Sequence, residues 1–320
     1  MLKRTIQTIS VALFIGLLII FIAGLIPIRT PALPSSPDPA ENYEEAVKRF
    51  EQVRESENGI LMDDAAASIL MTQGEKTDKV YVLIHGWTNS PFQWAAFGKL
   101  LYERGHNVLI MRLPYHGLAS QSAGETQYAT PDLLRDYADN TIDIAAGLGD
   151  EIHVVGLSAG GAVTAWVAQN RPDVARAMAV SPMFGLGKST KQSDYWITNA
   201  AIRLPNINVS DPRKEDQAHL YQGQSTTGVA NALLFERAIF EQAGAGKTAV
   251  SDIIIVTNDN DHTVSNVRTA DLVTLWEAMG TTVITHTLAE ELGHPHDSID
   301  PSANENVDEV YGILLDLLGE

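Results

Sequence analysis

The chain has 320 residues, 45% of them hydrophobic and 19% charged, a composition that excludes a mini-protein, a disordered chain and a coiled coil and allows one large core. Forty acidic residues outweigh 22 basic ones, giving a net charge of -18, which argues against a nucleic-acid partner because such affinity rests on clustered Lys and Arg. Cysteine is absent, so disulfides, thiolate nucleophiles, zinc fingers and Cys-linked lipids are ruled out.

From Val11 to Ile28, eighteen residues carry no charged or polar side chain. At about 1.5 Å per residue they reach about 27 Å, close to the ~30 Å hydrocarbon thickness of a bilayer. A cleaved secretory signal is the alternative, but its apolar core is usually shorter and ends in a small-x-small site. Residues 1–30 therefore read as a cytoplasmic N-terminus followed by a retained transmembrane anchor. Lys3 and Arg4 precede the span, and the positive-inside rule then puts the rest of the chain outside the cytoplasm. Beyond residue 30, 19 basic residues face 40 acidic ones, so the remaining chain is not suited to lying flat on an anionic lipid surface.

Pro31, Pro34, Pro37 and Pro39 deny backbone donors and favour extended polyproline structure, so residues 31–40 read as a stiff spacer. Glu41 to Glu57 places Val47, Phe50 and Val53 at helical spacing, predicting a surface helix that closes a 31–59 linker region. The main domain is then expected over 60–320.

Within it, strand and helix take turns. Val80 to Ile84 is a continuous apolar run that predicts a strand covered on both faces. Helix Gln93–Arg104, strand Asn107–Met111, helix Pro131–Leu148, strand Glu151–Val155, helix Ser158–Asn170 and strand Arg176–Val180 follow. Helix Gly228–Ala243, strand Asp252–Thr257, helix Ser265–Met279, strand Thr281–Thr287 and helix Asn304–Leu318 complete the series. Repeated βα units predict an α/β fold, a mostly parallel, doubly wound sheet, since parallel neighbours need crossover connections. Residues 184–223 interrupt the rhythm with a long polar stretch, too long for a structureless loop, and read as a small inserted cap or lid.

Gly156-Leu157-Ser158-Ala159-Gly160 is a G-x-S-x-G between a predicted strand and a predicted helix. Its glycines permit the sharp turn that thrusts a serine hydroxyl out at the carboxyl edge of a sheet. A serine nucleophile needs a base, and the base needs a carboxylate to fix its tautomer. Asp261, just beyond the strand Asp252–Thr257, is the expected carboxylate, with Asp259 as alternative. A calcium loop does not fit here, because the sixth position lacks glycine and the twelfth, Ala270, is not Glu. Of nine histidines, His294 and His296 alone lie beyond the last predicted strand, and His296 is the expected base, with His294 as alternative. A metal held by His294, His296 and Asp297 is the rival use of that loop. Backbone amides of Trp87 and Ala159 are the expected oxyanion donors, and His85 is expected to brace the loop before Trp87. Gly246-Lys247-Thr248 resembles a phosphate loop, but Glu241 stands where its first glycine would be, and it reads as a turn.

These residues, with HGWTNSP (His85 to Pro91), RLPYHG (Arg112 to Gly117) and DHTV (Asp261 to Val264), resemble the bacterial carboxylesterase and monoacylglycerol lipase branch of the α/β-hydrolase superfamily over roughly residues 60–320. The resemblance implies Ser158 as nucleophile, Asp261 as acid, His296 as base and a lid after Phe184. Tyr115 departs from it, standing where a glycine is usual. The expectation is a membrane-anchored serine hydrolase that cleaves small-molecule esters with an apolar acyl group, without cofactor or metal. Trp87, Phe92, Trp94, Phe184 and Trp196 are candidate walls of the acyl pocket. A peptidase or thioesterase with the same triad, or a binding protein that kept only the fold, are the alternatives.

Overall fold

The computed structural model describes residues 2–120, 122–210, 220, 223–246 and 248–320. The side chains of Lys3 and Arg4, most of the polar stretch 211–222, and Lys247 of the phosphate-loop look-alike lie outside the described residues.

Seven strands form one sheet: β1 (Ile69–Met71), β2 (Thr77–Ile84), β3 (Asn107–Ile110), β4 (Gly149–Leu157), β5 (Arg176–Val180), β8 (Asp252–Asn258) and β9 (Val283–Leu288), in the order β1-β3-β2-β4-β5-β8-β9. All neighbours are parallel except the edge pair β1 and β3. Alternation along β2 shows how both faces are used. Val80, Val82 and Ile84 point into the core shared with α4 (Pro131–Ala146), α5 (Ala159–Asn170), α7 (Thr226–Ala243) and α8 (Asn266–Ala278). Tyr81 and Leu83 point into a second core with α3 (Ala95–Glu103) and α9 (Val307–Leu318). Because both faces are covered, the strands need no polar face, and the sequence reads as unbroken apolar runs.

One region differs from the sequence reading. Residues 31–40 do not stand off as a spacer. Leu33 and Ala40 are buried in the first core, and the Trp166 indole N–H donates to the Leu33 carbonyl at 3.0 Å. Ser35 and the Ser36 amide donate to the Asp139 carboxylate, and the Asp38 amide to Asp143. The prolines remove donors, but the residues between them supply enough to strap the segment along α4. Helix α2 (Tyr43–Glu57) continues the strap, burying Ala46 and Phe50. The segment is thus part of the same core as the sheet.

The polar insertion holds α6 (Lys191–Arg203) and β6 (Asn208–Ser210), which pairs antiparallel with β7 (Gly223–Ser225). A reciprocal Thr190–Ser193 cap starts α6. The first helix, α1 (Leu2–Leu25), is apolar along Thr5–Leu25 and 11% buried in its most apolar window, long enough to cross a membrane by length and composition. Its C-terminal end rests on α6, where a Cβ at Gly24 would collide with the Trp196 indole.

Candidate active site

Ser158 sits in the turn between β4 and α5 at φ 56, ψ -116, a region that side chains other than glycine seldom occupy. Small neighbours make the turn feasible: a Cβ on Gly156 would collide with the Gly160 carbonyl, and one on Gly160 with the Ile84 carbonyl. The turn is pinned on both sides, the Ser158 amide donating to Val180 at 3.0 Å and the Met183 amide donating to the Ser158 carbonyl at 2.9 Å.

Asp261 lies in the turn after β8. One carboxylate oxygen accepts the Thr263 and Val264 amides at 2.8 and 3.3 Å, and the other accepts His296 Nδ1 at 2.5 Å. Burial pushes the Asp261 carboxyl up, but the His296 ring and the two amides outweigh it and hold it below the ordinary aspartate range. With Nδ1 donating, Nε2 of a neutral His296 is left as an acceptor. The loop carrying it is fastened to β8, since Asn258 Nδ2 donates to the carbonyls of His294 and Pro295 at 2.9 and 3.1 Å, and Asn260 Nδ2 to His294 at 3.0 Å.

The alternatives are placed elsewhere. Asp259 is exposed. His294 is buried, with Nδ1 3.4 Å from Asn304 and Nε2 3.5 Å from the Glu309 carboxylate, so its ring turns to α9 while that of His296 turns to Asp261. The two imidazoles therefore do not converge on one point, as a shared metal would require.

Ser158 and His296 line one cavity of about 580 Å³, together with Gly86, Trp87, Thr263, Leu220 from the insertion and Gln224 of β7. Gly86 is packed on the serine: a Cβ there would lie 3.4 Å from that of Ser158. Among the described residues the Trp87 amide has no acceptor, and the Ala159 amide opens α5, where helix geometry leaves N–H groups free. His85 holds the preceding turn: Nε2 accepts the Leu113 amide at 3.0 Å, so Nδ1 carries the proton given to the Gly86 carbonyl at 2.9 Å. Burial, with His116 nearby, drives its pKa far down, and burial with Arg112 lowers His116 to about 4. Both rings are neutral near pH 7, so neither contributes charge beside the cavity.

Of the five candidate acyl walls, Trp87 alone lines this cavity. Trp94 and Phe184 are fully buried in the core, Trp94 donating to the Ile84 carbonyl. Phe92 is 44% exposed, and Trp196 packs on α1. Aromatic type gave no means of telling core from pocket.

Two polar residues, Gln93 and Asn89, escape the sequence reading, and Asp297 enters it only as a rival metal ligand. Gln93 accepts the Gly86 amide at 2.7 Å through Oε1 and donates from Nε2 to Asp297 at 2.8 Å. Asn89 donates to the other Asp297 oxygen at 3.0 Å. They tie the turn before Trp87 to the loop that carries His296. No spacing rule signals this, since Gln93 and Asp297 are 204 positions apart.

The model of the alpha/beta hydrolase family matches residues 81–303. No protein of curated function matches the sequence. Among solved structures, a metagenome-derived lipolytic enzyme from work on LipS and LipT superposes with a TM-score of 0.57 at 19% identity, covering 80% of this chain and 99% of the other. A monoacylglycerol lipase of Paleococcus ferrophilus gives 0.54 at 15% identity, covering 78% and 97%. A soluble variant of monoglyceride lipase from Saccharomyces cerevisiae, in complex with a substrate analog, gives 0.60 at 12% identity, covering 78% and 90%. At these identities the likeness is one of fold.

Proposed function

As the chain belongs to the alpha/beta hydrolase family, we propose that it is a membrane-anchored serine hydrolase that cleaves carboxylic esters. The observation that carries this reading is the 2.5 Å contact between His296 Nδ1 and Asp261, with His296 lining the same cavity as Ser158.

In this reading Ser158 Oγ attacks the ester carbonyl while His296 Nε2 takes its proton, and the Asp261 carboxylate stabilises the imidazolium that results. The Trp87 and Ala159 amides meet the oxyanion of the tetrahedral intermediate. His296 then gives its proton to the leaving alkoxide, and a water activated by the same ring releases the acyl group from Ser158. The insertion 184–223 acts as the lid, and α1 anchors the domain with the N-terminus in the cytoplasm and the hydrolase outside.

Turnover of a p-nitrophenyl ester by the full chain in detergent, compared with Ser158→Ala, tests this directly. Loss of the nucleophile should lower kcat by about 10³-fold or more. Equal rates for the two proteins would remove the proposal. A fluorophosphonate probe, which reacts with an activated serine, should label the parent and not the variant.

A further inference from the structure

Helix α1 reaches its C-terminal end with carbonyls that no further turn can satisfy. The lid helix α6 supplies their donors. Asn199 Nδ2 donates to Gly24 at 3.1 Å, and Arg203 donates to Ala23 at 3.3 Å, Ile26 at 2.7 Å and Pro27 at 2.9 Å. The Ile28 amide returns a bond to Asn199 Oδ1 at 3.2 Å. A guanidinium at a helix C-terminus also suits the helix dipole. The end of the apolar helix and the lid are thus joined by a set of bonds, with Trp196 filling the space left open at Gly24.

Four residues after Arg203 the chain reaches Ile207, within about 14 Å of it at full extension. Ile207 and Val209 are 62% and 57% exposed and, two positions apart in an extended segment, point to the same side. Beside β6 lies the turn 123–128, where Gly124 fits against the Asn208 side chain, so Asn208 faces the domain while Ile207 and Val209 face away from it. Two aliphatic side chains exposed close to the end of an apolar helix suit the boundary of a bilayer. Val209 is paired with Gln224, which lines the Ser158 cavity.

We infer that Ile207 and Val209 of the β6 segment form a lip that contacts the lipid bilayer crossed by α1, and that Asn199 and Arg203 hold it there. This rests on the anchoring reading above. The contact is small and apolar, which agrees with the acidic character of the rest of the domain. It sets the mouth of the cavity against the membrane surface.

The absence of cysteine makes the test clean. The full chain carrying Ile207→Cys or Val209→Cys, labelled with nitrobenzoxadiazole, is reconstituted in phosphatidylcholine vesicles. Ile22→Cys in α1 and Val267→Cys on α8, whose parent side chain is 63% exposed, serve as references. Labels at 207, 209 and 22 should emit at shorter wavelength and be quenched by spin-labelled lipid, while the label at 267 should behave as in water. Water-like emission at 207 and 209 with lipid-like emission at 22 would overturn the lip. Water-like emission at 22 as well would overturn the anchor and the lip with it. Adding Asn199→Ala and Arg203→Ala should reduce quenching at 209 several-fold and leave that at 22 unchanged. Unaltered quenching at 209 would overturn the part given to the clamp. Turnover of a dissolved ester, retained in these variants, verifies that they are folded.

Discussion

At the scale of single residues, the bond from Gln93 to Gly86 and Asp297 has the clearest consequence. Gly86 carries the turn that presents the Trp87 amide, and Asp297 follows His296, so one buried amide group sets the spacing of two loops that come from opposite ends of the chain. Gln93→Leu keeps the volume and removes both bonds. Since sites lose rate when positioning groups loosen by fractions of an ångström, kcat for an ester should fall about 10- to 100-fold with KM changed by less than about threefold, as read from steady-state kinetics. The Ser158 turn, the Asp261 turn and the late histidine loop are legible in the sequence because each is announced by local backbone chemistry: flanking glycines at Ser158, an Asn-rich turn at Asp261, the end of the last strand at His296. The Gln93 bridge is not, because its partners meet through the fold alone. Neither is the choice between His294 and His296, which depends on where Asn304 and Glu309 of the C-terminal segment fall.

Among the elements, α6, α7 and α8 meet around a buried set of charges. Glu236 of α7 accepts the Gly185 amide at 2.8 Å and Arg268 of α8 at 3.2 Å, while Asp194 of α6 lies 3.4 Å from the same guanidinium. Two buried carboxyl groups thus share one arginine, whose Nη1 also meets the exposed Asp271 carboxylate at 2.8 Å. Burial first, then the neighbouring Asp194, push Glu236 up to about 8 against the pull of Arg268. Between its ordinary value of 4.5 and about 8, the folded chain keeps this proton and the unfolded chain releases it. The contribution of Glu236 to stability therefore falls as pH rises across that window and is level above it. Glu236→Gln removes the dependence, so thermal melts should show the variant gaining on the parent as pH goes from 4.5 towards 8, with no further gain beyond. The strands β2, β4, β5 and β8 and the helices α4, α5 and α7 are legible as apolar runs and turns of the right period. Strand β1 is not, since three residues at a sheet edge carry no period. Helix α6 is also hidden, because its polar composition reflects its position between α1 and the domain and not a solvated loop.

Over the whole molecule, the parts are joined by Arg171. It is fully buried at the end of α5 and holds Asp139 and Asp143 of α4 at 3.1 and 2.7 Å and Asp173 at 2.7 Å. The same aspartates receive Ser35, Ser36 and Asp38 of the strap. Removing one partner from a buried ionic group leaves the others without compensation, at a cost of about 3–5 kcal/mol. Urea denaturation of Arg171→Met should show a loss of that order.

The strap also moves the true edge of the folding unit. A shortened protein cut back to residue 60 would lose Leu33, Ala40, Ala46 and Phe50 together and open a hydrophobic trough along α4 and α5, an invitation to clumping. One cut at Thr30 would carry its own seal and lose only α1 and the bonds that α6 makes to it. Detachment of the domain from α1 thus need not unravel it, but would set α6 adrift.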